Sequence, residues 1–165
     1  MDGQNVKTVF LGIGSNLGVR EENLNNAIGR IRELTVSGIV ESSVYEAEPW
    51  GFLAGTNFLN MVAGIETTLE PEDLLSAILN IEISLGRRRT GQQYSSRIID
   101  IDILLFGDMV IDEKQLHIPH PRLHERRFVL VPLAEIAPDF IHPIFNKTIS
   151  SLLESCTDLS SVTKL

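Results

Sequence analysis

Two aspartates lie two residues apart within the apolar run of residues 98–106. The β-branched and apolar residues around Asp100 and Asp102 predict a buried or half-buried strand. Side chains at positions i and i+2 leave a strand on the same face, about 6.5–7 Å apart. Two carboxylates at so short a distance, in apolar surroundings, require a compensating cation, which arginine or Mg²⁺ would supply. The alternative, a hydrated strand end, is disfavoured because Ile98 and Leu104 share the aspartate face.

The basic residues are concentrated in two short windows. Seven of the 14 Lys and Arg residues lie there: Arg87, Arg88, Arg89 and Arg97 in the first, and Arg122, Arg126 and Arg127 in the second. In a chain of formal net charge −8, such clusters indicate a small polyanion, for example a nucleoside triphosphate. A nucleic-acid partner is disfavoured because it would favour a broadly basic face. Solvated surface arginines are the alternative.

Glu82 lies in the middle of the apolar arc of a predicted helix. An unpaired buried carboxylate is costly, so this side chain needs a partner. We consider two interpretations: a structural ion pair with a nearby arginine, or a role in the substrate site facing the aspartate strand.

Three histidines lie in the segment of residues 117–124, together with two prolines. The prolines keep the segment extended and no cysteine is near, so the pattern does not favour a zinc site. A neutral or cationic histidine that donates to a phosphate, beside Arg126, fits the segment better.

Phe58 and Asn60 are two residues apart on a predicted strand and therefore share a face. An amide beside an aromatic ring suits the recognition of a flat heterocycle. The alternative for Phe58 is a place in the hydrophobic core.

The glycines of residues 12–18 have the spacing G-x-G-x-x-x-G, without the lysine of a P-loop. We interpret them as a tight strand-to-helix turn rather than a phosphate cradle.

Length and composition indicate one globular domain, residues 1–165, with a core of residues 5–154 and a frayed tail of residues 155–165. The chain is 43% hydrophobic and 22% charged, and no apolar run approaches the ~20 residues of a membrane span. No secretory signal is visible at the start. The single cysteine, Cys156, cannot form an internal disulfide, so we expect a cytoplasmic protein without a membrane partner.

Hydrophobic periodicity and turn residues predict alternating strands and helices. Strands are predicted at residues 6–13, 39–46, 58–66 and 98–106, with a short one at 109–111, and helices within 24–34, 71–86 and 149–153. The β-α-β-β-α-β order predicts an α+β, ferredoxin-like fold with a mostly antiparallel sheet.

Four segments, taken in order, resemble the 6-hydroxymethyl-7,8-dihydropterin pyrophosphokinase family of the folate pathway. They are residues 14–18, 58–60, 97–107 and 118–122, of which 97–107 fits the pattern R-x-x-D-[IL]-D-[IL]. The resemblance runs from about Val9 to Leu153. It implies transfer of pyrophosphate from the co-substrate ATP to the hydroxymethyl oxygen of the pterin, releasing AMP, with two Mg²⁺ ions as cofactors. It implies no nucleic acid, membrane or obligate protein partner.

The resemblance also implies roles for individual residues. The catalytic set is Arg87, Arg97, Asp100 and Asp102, and the two aspartates hold Mg²⁺. The pterin site consists of Trp50, Phe58, Asn60 and Phe128, with the ring between the two phenylalanines. The ATP site consists of Glu82, Arg87, Arg89, Arg97, Ile103, His117, His120 and Arg126. Two rival hypotheses are a palm-like two-metal nucleotidyl transferase, which requires a basic groove, and a non-enzymatic ferredoxin-like sensor, which leaves the aspartates without a purpose.

Overall fold

The computed structural model describes residues 5–49, 55–87 and 97–165. Its strands are β1 (Lys7–Ser15), β2 (Val40–Glu41), β3 (Tyr45–Ala47), β4 (Phe58–Thr67), β5 (Asp100–Phe106), β6 (Ile111–Asp112), β7 (His117–Ile118) and β8 (Val162–Lys164). Its helices are α1 (Arg20–Ile31), α2 (Pro71–Ser84), α3 (Arg127–Ile136) and α4 (Ile149–Glu154), with 3-10 turns at Arg32–Leu34 and Leu123–Glu125. Two predicted site residues, Trp50 and Arg89, lie outside the described residues.

The main sheet is antiparallel and has the strand order β5-β1-β4-β3-β8, with β2 also paired to β4. One face packs against α1 and α2, with Leu11, Leu24 and Ile78 in its core. The other face packs against α3 and α4, with Phe10, Leu104 and Leu130 in its core. The arrangement confirms the predicted α+β, ferredoxin-like class.

The predicted strand of residues 39–46 is divided into two short strands, β2 and β3. The interruption lies at Ser42, which is 6% exposed. Its hydroxyl accepts a hydrogen bond from the amide of Val62 at 2.8 Å, and its own amide donates to the carbonyl of Val62 at 2.9 Å. A side-chain oxygen has therefore taken the place of a backbone carbonyl in the ladder, which periodicity cannot reveal.

The expectation of a frayed tail is wrong for the last strand. β8 pairs with β3, opposing Tyr45 to Lys164 and Ala47 to Val162. The amide of Leu165 continues the pairing by donating to the carbonyl of Val44 at 3.0 Å. A three-residue strand is too short to show hydrophobic alternation, so the sequence carries no signal for it. None of the helices in the described part of the chain is long and apolar enough to span a membrane.

His142 organises the loop between α3 and α4. Its side chain is buried, with the residue 2% exposed. The Nδ1 atom accepts hydrogen bonds from the amides of Ile144 and Phe145, both at 3.2 Å, and the ring stacks on Phe145 with centroids 4.6 Å apart. Burial, together with the nearby His124, lowers the pKa of His142. The loop therefore depends on the neutral imidazole.

We expect this burial to make the fold sensitive to acid. Because the pKa of His142 is lower in the folded chain than its ordinary value of about 6.5, the unfolded state binds the proton more readily. Its contribution to the free energy of unfolding is complete above about pH 6.5 and is lost as the pH falls below that value. Urea unfolding of His142→Asn between pH 7.5 and 5 should show a flatter decline than the parent chain. An unchanged slope would contradict this account, and the exposed His117→Asn serves as the control.

Candidate active site

A cavity of about 280 Å³ opens on the sheet face that carries α3. Its floor comes from β1, β4 and β5, and its wall from the segment that leads into α3. The lining residues are Gly12, Ile13, Gly14, Glu48, Phe58, Asn60, Met61, Val62, Arg97, Asp100, Asp102, Leu104, His120, Pro121, Arg122, Arg126, Phe128 and Val129. Eight of the sequence-predicted site residues are in this set: Phe58, Asn60, Arg97, Asp100, Asp102, His120, Arg126 and Phe128.

Gly12 and Gly14 form the bare centre of the floor. In the sheet register Gly14 lies between Asn60 and Asp100, and Gly12 lies opposite Asp102. A Cβ atom on Gly14 would be 2.7 Å from the Oδ1 atom of Asn60. Gly14 therefore leaves the room that the Asn60 side chain occupies beside β1, while the missing side chain of Gly12 leaves room for Leu104.

The turn interpretation of residues 12–18 is wrong for the first two glycines, which lie inside β1. Of the three glycines in residues 12–18, Gly18 has a φ of 70° and adopts the left-handed conformation that suits a turn. The signal was available, because glycines at i and i+2 of a strand leave one face without side chains.

Asp100 forms ion pairs with both arginines of the predicted catalytic set. Its Oδ1 atom lies 2.8 Å from Nη1 of Arg87, and its Oδ2 atom lies 3.0 Å from Nη1 of Arg97. Arg87 also pairs with Glu82 on α2. The two arginines compensate the negative charge of Asp100. Arginine was one of the two cations considered from the sequence for this role, the other being Mg²⁺.

Glu82 contributes to this cluster from α2 through its ion pair with Arg87. The residue is 2% exposed, and its Oε2 atom accepts a hydrogen bond from the amide of Ile101 at 3.0 Å. Burial raises the pKa of Glu82, while the Ile101 amide and Arg87 act in the opposite direction. Among the described residues, Glu82 does not line the cavity. The structure therefore supports the structural ion pair, and the predicted ATP contact of Glu82 stays a prediction.

Asp102 carries the less compensated carboxylate. Burial and the charge of Asp100 raise the pKa of Asp102 to about 8, against the opposing effect of Arg126. In residues 5–49, 55–87 and 97–165, no group of three or more His, Cys, Asp or Glu side chains is arranged as a metal cluster. A pair of carboxylates that line a cavity suits Mg²⁺, which takes its remaining ligands from water and substrate phosphates. The donor set therefore fits that ion.

Phe58 and Phe128 contribute the aromatic part of the lining. Phe58 is half-buried at the start of β4 and is not one of the buried core residues, which disfavours the core alternative. Asn60 lies two residues further and is 8% exposed. The guanidinium carbon of Arg126 is 5.7 Å from the centroid of the Phe128 ring, within cation–π range. Aromatic and cationic groups thus meet on the same wall.

His120 presents a neutral imidazole to the cavity. Its amide donates to the carbonyl of Leu104 at 2.9 Å, and its Nδ1 atom accepts from the amide of Arg122 at 3.2 Å. Because Nδ1 accepts, the proton of the neutral ring is on Nε2. Burial, together with Arg126, lowers the pKa of His120 to about 4. Of the two forms considered from the sequence, the structure favours the neutral donor.

Four described residues of the predicted ATP site are not among the cavity-lining residues: Glu82 and Arg87, which belong to the ion-pair cluster, and Ile103 and His117. Ile103 is 7% exposed in the core on the α1 and α2 side, because it alternates with Asp102 along β5. His117 is exposed on β7, and its Nδ1 atom lies 2.8 Å from Asp112. Glu48 lines the cavity although no sequence pattern marked this acid, which stands alone in a turn-rich stretch.

Comparisons with known proteins find one family whose model matches this chain. The family model of 7,8-dihydro-6-hydroxymethylpterin-pyrophosphokinase (HPPK) matches residues 10–138. The 2-amino-4-hydroxy-6-hydroxymethyldihydropteridine pyrophosphokinase of Aquifex aeolicus is 45% identical over 141 residues, 85% of this chain and 86% of that protein. The folic acid synthesis protein fol1 of Pneumocystis carinii is 37% identical over 152 residues, 92% of this chain but 20% of that protein.

Solved structures share the fold. The wild-type HPPK-DHPS protein of Plasmodium falciparum, solved with SDX-DHP, superposes with a TM-score of 0.70 at 18% identity. That match covers 91% of this chain and 44% of the Plasmodium chain. All the cavity-lining residues named above fall within the stretch that the family model covers. With that match over most of its length and a relative of similar size at 45% identity, the chain belongs to the 7,8-dihydro-6-hydroxymethylpterin-pyrophosphokinase family.

Proposed function

We propose that the chain transfers the pyrophosphoryl group of ATP to the hydroxymethyl oxygen of 6-hydroxymethyl-7,8-dihydropterin, releasing AMP, in folate synthesis. Family membership supports the reaction. The observation that supports the proposal for this chain is a single cavity with an aromatic half and a charged half. Phe58, Asn60 and Phe128 line it together with a carboxylate pair and three cationic or hydrogen-bond-donating residues, Arg97, Arg126 and His120.

The aromatic half suits the pterin. We infer that the flat ring stacks on Phe58 and Phe128 and that the Asn60 amide, with two donors and an acceptor, bonds to the ring edge. Gly14 supports this role because its missing side chain leaves room for the Asn60 amide. Trp50, which the resemblance assigns to the same pocket, belongs to this proposal as a prediction.

The charged half suits the triphosphate. The hydroxymethyl oxygen attacks the β-phosphorus of ATP and loses its proton, and the bond from that phosphorus to the α–β bridging oxygen breaks, so that AMP leaves with the bridging oxygen. Such transfers depend on alignment and on stabilisation of the developing negative charge. Arg97 and Arg126 supply positive charge, and His120 supplies a neutral Nε2–H donor. Asp100 and Asp102 would hold the two Mg²⁺ ions, which when bound neutralise and orient the triphosphate.

The two rival hypotheses are disfavoured by the family match. An assay with ATP, Mg²⁺ and the dihydropterin, read by chromatography, separates all three. Equal amounts of AMP and pterin diphosphate, abolished by EDTA, are the expected result. Release of pyrophosphate would instead indicate nucleotidyl transfer, and binding of ligand without any product would indicate a sensor.

The single Cys156 supports a reducing compartment, the cytoplasm, as the place of the reaction.

Asp102→Asn should abolish most of the activity without unfolding the chain. The amide keeps the size of the side chain but cannot supply the negative charge that holds a metal ion. Turnover should fall on the order of 10²-fold or more, the cost of removing one charge-stabilising group from an active site. The control is Asp108→Asn, the same change at an exposed turn of the same segment. Near-full activity of the Asp102 variant would show that the metal assignment is wrong.

Phe58→Ala should weaken pterin binding and largely spare ATP. Loss of one stacking surface should raise the KM for the pterin about tenfold. Steady-state kinetics with each substrate varied in turn would measure both effects. Removing a half-exposed ring outside the cavity, Phe145→Ala, controls for general loosening of the fold. Equal weakening of both substrates would mean that Phe58 acts on the fold and not on the pterin.

Gly14→Ala tests the floor with a single methyl group. The added Cβ would displace the Asn60 amide, so the KM for the pterin should rise severalfold while the sheet remains folded. The matched control is Gly29→Ala on the exposed face of α1, where an added Cβ meets nothing within 4 Å. That control should leave the kinetics unchanged and raise the free energy of unfolding by ~1 kcal/mol. Unchanged pterin kinetics in Gly14→Ala would contradict the proposed place of Asn60.

A further inference from the structure

α3 carries one wall of the cavity, and its first turn lacks two of the bonds that usually stabilise the start of a helix, although the amides of Val129 and Leu130 bond to the carbonyl of Arg126. Arg126 precedes the helix, and Phe128 and Val129 lie in its first turn. Arg126, at the N-cap position, provides no side-chain cap. Pro132 has no amide hydrogen and therefore cannot bond to the carbonyl of Phe128, four residues earlier. The wall must be held by groups outside the helix.

Asp158 supplies such a group from the C-terminal segment. Its Oδ2 atom accepts a hydrogen bond from the amide of Arg127, the first residue of α3, at 2.9 Å. Its Oδ1 atom accepts from the amide of Ser160 at 3.0 Å, which orients the carboxylate. The bond satisfies one of the unpaired amides at the start of the helix, and the negative charge complements the helix dipole.

The same segment also reaches the other end of α3. From Asp158 the chain continues into β8, which pairs with β3 at the sheet edge. Glu135, in the last turn of α3, accepts hydrogen bonds from the hydroxyl of Tyr45 at 2.5 Å and the amide of Ser43 at 2.7 Å. Burial opposes the shift, but the hydrogen bonds from Tyr45 and Ser43 lower the pKa of Glu135, and the positive charge of Lys164 on β8 adds a smaller effect in the same direction. Residues 158–164, here called the strap, therefore extend along α3 from its first turn to its last.

We propose that the strap fixes the position of Phe128 and Arg126 in the cavity, with Asp158 as the positioning residue. The family model ends at residue 138, so the strap lies beyond the part of the chain that the family description covers. The proposal rests on the proposed function, because it gives Phe128 a role in binding the pterin. Asp158 itself is not among the cavity-lining residues described above, so it acts through the first turn of α3.

Three variants at 158 and 154 test the strap. Asp158→Ala removes both acceptor oxygens, and Asp158→Asn keeps one and removes the charge. Glu154→Gln, at an exposed position on α4, matches the loss of one charge. The KM for the pterin should rise about fivefold in the alanine variant and about twofold in the asparagine variant, as expected from losing or weakening a helix cap. It should be unchanged in Glu154→Gln.

The comparison of KM with kcat separates positioning from stability. Loss of folded protein lowers the measured turnover at a constant KM, whereas a displaced wall raises the KM well below the melting temperature. A pterin KM unchanged in folded Asp158→Ala would overturn the proposal. If that variant does not fold, the asparagine variant decides, and an unchanged KM there overturns the proposal equally.

Phe128→Ala distinguishes failure of the strap from failure of the site. If it raises the KM for the pterin and the Asp158 variants do not, only the strap proposal is wrong. If Phe128→Ala itself leaves the KM unchanged, then the pterin site is misassigned and the strap proposal falls with it.

Discussion

Three carboxylates converge where β5 begins, and the surrounding structure provides the charge that they require. Glu82 approaches from α2, while Asp100 and Asp102 extend from the other face of the sheet. Arg87 joins the two groups by contacting both Glu82 and Asp100. Carboxylates this close, and partly removed from water, are unfavourable without cations. The same requirement makes the cluster suitable for a polyanionic substrate and its metal ions.

The two faces of the sheet have separate tasks. The face toward α1 and α2 is filled with aliphatic side chains and provides most of the hydrophobic core. The opposite face is apolar only under α3 and α4, and beyond them it carries glycines, an amide and the carboxylates. Strand alternation allows both tasks in one strand, because Ile101 and Ile103 lie in the core while Asp100 and Asp102 line the cavity.

The sequence predicted those parts of the site that follow from local spacing. The pairs Asp100 with Asp102 and Phe58 with Asn60 share strand faces because strands alternate, and both pairs line the cavity. The same rule would have placed Ile103 in the core. Its predicted nucleotide contact came from resemblance alone and stays a prediction.

The rest depended on contacts between distant segments. β8 pairs with β3 through backbone groups, and the carboxylate of Asp158 accepts from the backbone amide of Arg127. The split of the second predicted strand depends in the same way on Ser42 and the backbone of Val62. No hydrophobic pattern marks such contacts, because the chemistry of backbone amides and carbonyls is common to all positions. Local reasoning therefore finds the side chains of the site but not the framework that orients them.

The central position of β1 gives the floor and the wall of the cavity different local stabilities. Gly12 and Gly14 are hydrogen-bonded within a strand that has β4 on one side and β5 on the other. Their amides can exchange with solvent only when the sheet opens, an event that costs a large part of the global free energy of unfolding. Val129, Leu130 and Leu133 pack α3 into the core, but the start of the wall at Arg127 also depends on a side-chain bond to Asp158, which opens at a smaller cost. Amides of the wall should therefore exchange faster than those of the floor, so that one half of the cavity adapts while the other keeps its geometry.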